Sequence, residues 1–202
     1  AVLLNLERAN TAAYDALKGF DDEDADGDGS PSLVGPVMNM IAFTPSDPSS
    51  PADQEATEHA DYLFNRWFLN AAVEGDVDAN ADGVISGSEA DAHTRKADFV
   101  GLNYYFRGRV TALPNSLTPL IPILDFLPAT SYASAADPSL PPCPTTCSEL
   151  GAEIYQEGFR QVIGTAADYG LPVYVTENGI ADADDDQRPA YLNDHLRQLL
   201  LA

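Results

Sequence analysis

Basic residues are scarce in this chain. Its 202 residues hold 10 Lys and Arg against 32 Asp and Glu, a formal charge of −22 with a pI of about 4.1. Nucleic-acid binding needs basic surface to neutralise phosphates, so this balance argues against it. It argues equally against adhesion to anionic membranes. Long apolar runs are missing too, since no stretch approaches the roughly 20 residues needed to span a bilayer. There is no signal-peptide pattern. The chain opens on Ala1-Val2-Leu3-Leu4-Asn5 without an initiator Met, so the true N-terminus is expected upstream. The missing leader therefore carries no information on localisation. Cysteine is limited to Cys143 and Cys147, and no His or further Cys lies nearby to complete a zinc site. The Cys-Pro-Thr-Thr-Cys spacing can close a small loop, and a disulfide is expected. The alternative is two free thiols in a cytosolic loop. His59, His93 and His195 are scattered and read as surface or helix-face residues.

What is present suits a folded α/β protein. Hydrophobic residues make up 45% of the chain, enough for a core rather than a disordered acidic tail. The length suggests one domain. The acids are clumped: residues 21–28 carry six, 74–91 six, and 177–186 five. Seventeen of the 32 acids thus lie in three short stretches, which points to cation sites or to well-solvated loops.

Helical spacing of Leu3, Leu6, Ala9, Ala13 and Leu17 predicts a helix over 2–18 with Gly19 as its C-cap. A short apolar run predicts a buried strand over 36–43. Ser50 as N-cap, Pro51 at the first helical position and Asp53 start a second helix. Its apolar face is read as Ala56, Ala60, Phe64, Trp67, Phe68 and Ala71, and Gly75 ends it. Further strands are expected at 98–106 and 172–176, further helices at 153–169 and from 189 to the chain end. The Pro-, Ser- and Thr-rich segment 111–149 reads as irregular. The alternating order indicates a parallel sheet.

Glu177 follows an apolar strand directly, before Asn178-Gly179. In parallel α/β folds chemistry gathers at the C-terminal ends of strands, so this carboxylate is a candidate nucleophile or base. Asn103, Tyr104 and Tyr105 end the preceding strand in the same way. Together the two stretches resemble the family 1 glycoside hydrolases, the retaining β-glucosidases and β-galactosidases. Val173-Tyr174-Val175-Thr176-Glu177-Asn178-Gly179 resembles that family's nucleophile signature, and Asp98-Phe99-Val100-Gly101-Leu102-Asn103-Tyr104-Tyr105 its sixth-strand motif. Weaker echoes occur in family order at Val34 to Val37, Phe64 to Gly75 and Arg188 to Leu196.

The resemblance implies part of a (β/α)8 barrel, running from its fourth through its seventh helix, with strands five, six and seven present and the remainder absent. All of residues 1–202 would belong to that one domain. It implies hydrolysis of β-glycosides by a retaining double displacement in carbohydrate metabolism, with no catalytic cofactor. Glu177 would be the nucleophile and Tyr105 its hydrogen-bond donor. Asn103 would lie beside them, and Asn178 would contact substrate. The family's acid/base Glu belongs to a Thr-x-Asn-Glu-Pro motif, and no Asn-Glu-Pro occurs here. The family's Trp-rich sugar-binding segment is also missing. This piece alone is therefore expected to have little or no activity, and its open strand edges to favour self-association. Ala152, Gln156 and Asn10 depart from common family residues and bear on substrate-loop detail.

Asp78, Asn80, Asp82, Val84, Ser86 and Glu89 fall at the ligand positions of a twelve-residue calcium loop, with Gly83 at its sharp turn. A solvated acidic loop is the plainer reading. Asp24, Asp26 and Asp28 start a second such loop, but Gly35 stands where its bidentate Glu would be. Both look like insertions that calcium would order and stabilise. With the cysteine pair they lean towards an oxidising, extracytoplasmic compartment. The alternative function is a non-catalytic calcium-binding module with a vestigial glycosidase resemblance.

Overall fold

Four strands make one open sheet with β2 (Val100–Ala112) at its centre. The computed structural model describes residues 2–25, 27 and 29–202. β1 (Val37–Pro45) lies parallel to β2 along one side. The other side of β2 is shared. Its first half pairs in parallel with β4 (Val173–Asn178), and its last four residues pair antiparallel with β3 (Phe126–Ala129). β2 is thus longer than the expected 98–106, and β3 lies inside the segment read as irregular. The arrangement is a partial α/β fold with an open sheet, as the alternating pattern implied.

The helices flank this sheet. α1 spans Val2–Phe20, α2 Pro51–Asp61, α3 Trp67–Leu69, α4 Gln156–Ala167 and α5 Arg188–Leu199. α2 starts as expected: the Ser50 side chain accepts from Asp53 N at 3.3 Å, with Pro51 in the first turn. It does not continue as one regular helix. Wider π turns at Tyr62–Arg66 and Asn70–Glu74 flank α3, a local unwinding that hydrophobic spacing does not encode. Gly75 closes the run at φ +83, and a Cβ there would lie 2.0 Å from His93 O, so only glycine fits.

Two apolar clusters cover the strands. Met40, Leu102 and Tyr104 pack with Phe159, Val162 and Ala166 of α4. Ile41, Phe43, Val110 and Phe126 pack with Ala56 and Ala60 of α2. α4 approaches β2 closely, because Gly158 faces the Tyr104 hydroxyl and the Ala42 Cβ. Tyr104 Oη donates to Tyr155 O at 2.6 Å. His195 is fully buried rather than at the surface, stacked on Tyr191 at 3.7 Å between ring centroids. Burial pushes its imidazole pKa down and keeps it neutral.

Several expectations are corrected. α1 runs through Gly19 to Phe20, so Gly19 is not its C-cap. Its apolar stripe does not face inward either, with Leu6 and Leu17 each 53% exposed. The helix docks by its polar face, because Tyr14 Oη donates to Asp98 at 2.7 Å and Lys18 Nζ to the same carboxylate at 3.0 Å. Glu7 is buried 2.6 Å from His93 Nε2. Phe64, assigned to the apolar face of α2, is exposed. α4 is shorter than 153–169 at both ends. α5 closes at Leu199 rather than running off the chain end. Cys143 and Cys147 form the disulfide, with their Cα atoms 6.1 Å apart.

Candidate active site

The polar residues singled out in the sequence meet where β4 ends, alongside the first half of β2. Register places Asn39 of β1 opposite Asn103 of β2, and Asn103 opposite Glu177 of β4. Side chains of one rung in a parallel sheet share a face, so three polar groups line up across three strands. A bulge makes this possible. Leu102 pairs with Val175 but Asn103 pairs with Glu177, leaving Thr176 as the extra residue. Bulges re-aim a side chain, and without this one Thr176 would stand opposite Asn103 instead of Glu177. Thr176 Oγ1 donates to Asn103 Oδ1 at 2.5 Å and fixes the asparagine beside the glutamate.

Tyr105 donates its hydroxyl to Glu177 Oε2. That hydrogen bond, with smaller contributions from burial and the carboxylate charge, raises the Tyr105 pKa, so the phenol remains a donor at neutral pH. Glu177 itself is exposed. Its Oε2 is held by the phenol, which leaves Oε1 for chemistry. Asn178 points elsewhere: its Nδ2 donates to Tyr104 O at 2.8 Å and to Tyr191 Oη at 3.1 Å. Its amide therefore anchors β4 to β2 and α5, and does not reach the open face beside Glu177. Tyr191 also donates to Tyr105 O at 3.3 Å, so one α5 side chain braces both strand ends.

A cavity of about 380 Å³ adjoins Tyr105, with Gly179 and Ile180 on one wall and Ser148, Leu150 and Ala152 on the other. The second wall is the segment just after the disulfide, and Glu153 pins that segment. Glu153 is fully buried against the extension of β2. Arg109 Nε donates to its Oε2 at 2.9 Å, Arg109 Nη2 to its Oε1 at 2.9 Å, and Thr145 Oγ1 to its Oε1 at 2.7 Å, with Arg107 on Oε1 as well. Burial alone would raise its pKa. The bonds from Arg109, Arg107 and Thr145 outweigh burial and hold the carboxyl at about 2. The sequence offered no signal for this clamp or for Asn39, while Thr176 and Tyr191 lie within the family-like stretches that imply no role of their own for them.

The sequence pattern of glycosyl hydrolase family 1 matches residues 5–202. The chain belongs to that family. A family 1 relative, the β-galactosidase of Pyrococcus woesei, is 36% identical over 199 residues, covering 96% of this chain and 38% of its own length. A β-galactosidase of Sulfolobus acidocaldarius is 35% identical, covering 96% of this chain and 35% of its own. Among solved structures, the β-glycosidase from Pyrococcus horikoshii superposes with a TM-score of 0.71 at 29% identity, covering 98% of this chain and 39% of its own. The chain thus spans less than two fifths of the length of these relatives.

The acidic loops sit apart from the family 1 rung. Asp78 is buried, and its carboxylate accepts from Tyr62 Oη at 2.8 Å, Asp82 N at 3.2 Å and Gly83 N at 2.9 Å. Gly83 sits at φ +81, as the sharp turn requires. Asn80 Nδ2 donates to Asp82 Oδ2 at 2.8 Å, and Val84 N to Asp82 Oδ1 at 2.9 Å. Glu89 closes the loop, accepting from Ala79 N at its start at 3.0 Å and from Ser86 N at 3.2 Å. In the first loop Asp24 accepts from Gly27 N at 2.8 Å and Gly29 N at 2.9 Å, while Asp26 and Asp28 lie outside the described residues. Among the described residues, the carboxylates that do converge are Glu149, Asp182 and Asp184.

Proposed function

We propose that this chain is the nucleophile-bearing portion of a retaining β-glycosidase, corresponding to the fourth through seventh helices of its barrel, with β1, β2 and β4 as barrel strands five, six and seven. The hydrogen bond from Tyr105 to Glu177, at the C-terminal end of β4 and beside its parallel neighbour β2, carries this reading. Retaining hydrolysis needs two carboxyl groups about 5–5.5 Å apart. Glu177 Oε1 attacks the anomeric carbon of a β-linked sugar as the glycosidic C–O bond breaks. The aglycone oxygen takes a proton from an acid/base carboxyl group that this segment does not supply. The covalent ester is then cleaved by water, which that second group deprotonates. Tyr105 neutralises and orients Oε2 throughout, and Asn103, held by Thr176, borders the sugar ring. No metal or organic cofactor enters the chemistry, as in family 1 generally.

The test is covalent trapping. The complete enzyme, incubated with an activated 2-deoxy-2-fluoro-β-glycoside, is expected to lose activity and to carry the sugar on the peptide containing Glu177. Label on any other carboxylate overturns the assignment.

The loop at 78–89 is read as a structural calcium site outside the catalytic rung. Its ligand spacing and the backbone wrapped around buried Asp78 support this. The Glu89 carboxylate already reaches back to the start of the loop, at Ala79 N. Calcium is expected to raise the melting temperature, and Glu89→Gln to remove part of that rise. An unchanged response in Glu89→Gln refutes the site.

A further inference from the structure

The carboxylates of Glu149, Asp182 and Asp184 each place an oxygen within 4.8 Å of the other two, although they come from two loops. Clustered surface acids alone would mean little, but Asp182 is not a surface acid. It is only 5% exposed, and its Oδ1 is sealed from solvent without a hydrogen-bond partner. Its Oδ2 is satisfied, accepting from Gln187 N at 3.0 Å and Arg188 N at 2.7 Å at the start of α5. Half of a buried carboxylate is therefore unpaired, an arrangement folded proteins avoid unless a ligand completes it.

No side-chain cation supplies that partner among the described residues. Arg188 is the nearby base, and its guanidinium is committed elsewhere. It donates to Ile180 O at 2.9 Å, to Asp182 O, and to the Asp185 carboxylate at 2.6 Å. Glu149 and the second loop are already in register, since Glu149 N donates to Ala181 O at 3.2 Å and Ala183 N to Glu149 Oε2 at 2.9 Å. The backbone thus brings the three acids together, with Arg188 nearby but no donor on Asp182 Oδ1.

We propose that Glu149, Asp182 and Asp184 hold a hard divalent cation, calcium by preference, that fastens the segment just after the disulfide to the loop following the nucleophile strand. Three carboxylates from flexible loops with no nitrogen or sulfur donor suit an oxygen-ligated, geometrically tolerant ion rather than zinc or copper. Both joined loops wall the cavity beside Tyr105. The ion closes the cavity rim opposite the Glu153 clamp. It takes no part in catalysis, and the site does not depend on the loop at 78–89.

Calorimetric titration with calcium chloride and melting curves in calcium against chelator test it, using the chain with Glu89→Gln already in place. That background is expected to bind calcium. Adding Glu149→Gln and Asp184→Asn, both at exposed positions, is expected to remove one equivalent and to abolish the calcium-dependent rise in Tm that the background still shows. Equal stoichiometry and an equal rise in both proteins overturn the site. Asp184→Lys guards against a variant that merely folds poorly. A built-in ammonium is expected to raise Tm in chelator above the background and to make it indifferent to calcium. An Asp184→Lys protein that still gains stability from calcium refutes the proposal.

Discussion

Replacing Glu177 by Gln in the complete enzyme is expected to lower kcat/KM for an aryl β-glycoside by roughly 10⁴- to 10⁶-fold, the scale of loss when one member of a catalytic unit is removed. The amide has the size of the carboxylate and still accepts the Tyr105 hydroxyl bond seen at Oε2. Fold and ground-state binding should therefore persist, and the loss should fall on kcat. The missing element is the charged oxygen that attacks the anomeric carbon. Glu177→Gly separates this from misfolding. With the side chain gone, azide can enter from the vacated face, and activity should return with an α-glycosyl azide as product. A Gln variant within tenfold of the parent, together with no azide rescue, would show that another group is the nucleophile. The tyrosine gives an independent reading. Its pKa is raised chiefly by the bond to Glu177, so Glu177→Gly, which removes that bond, should let the phenol titrate closer to its ordinary value of 10.0.

Local signals in the sequence located most of the scaffold. Ser50, Pro51 and Gly75 act through their own backbone preferences, and they mark the ends of the helical run where expected. The parallel strands were legible as short apolar runs bounded by turn signals, β1 and β2 packed under helices and β4 although most of its residues are exposed. β3 was not legible. It has four residues, contains Pro128 and exists only because β2 overruns its parallel partner and offers an unpaired edge. The orientation of α1 was misread for a related reason. Its apolar stripe is a property of the helix, but its docking face was chosen by Asp98 and His93, more than 80 residues away in sequence. At the site, Glu177, Tyr105 and Asn103 were found through motifs. The bulge that brings Glu177 onto the rung of Asn103 depends on pairing between strands, which no single segment encodes. Asn178 shows the converse, since its motif neighbours face the open side while its own amide turns back to the scaffold.

Glu153→Gln is expected to destabilise the chain by about 3–5 kcal/mol at neutral pH, the cost of breaking a buried ion pair from one side. Gln offers one acceptor oxygen, yet Arg107, Arg109 and Thr145 converge on both carboxylate oxygens. Two guanidinium groups would be left facing a neutral amide beside the Tyr155 ring, over which Arg107 lies at 4.2 Å. The native pair also makes stability depend on pH in a defined direction. The folded carboxyl titrates at about 2, against 4.5 for the unpaired group. The unfolded chain therefore binds the proton first as acid is added. The stabilisation, on the order of 3 kcal/mol from that difference, is complete above about pH 4.5 and is lost as pH falls towards 2. Urea unfolding from pH 7 to 2 should show the parent losing this increment while Glu153→Gln, already deprived of it, falls less steeply. Parallel pH profiles for the two proteins would mean that Glu153 is not held ionised by its arginines. In the complete enzyme, the same substitution should raise KM more than it lowers kcat. The clamp positions the cavity wall formed by Ser148, Leu150 and Ala152 and touches none of the reacting atoms.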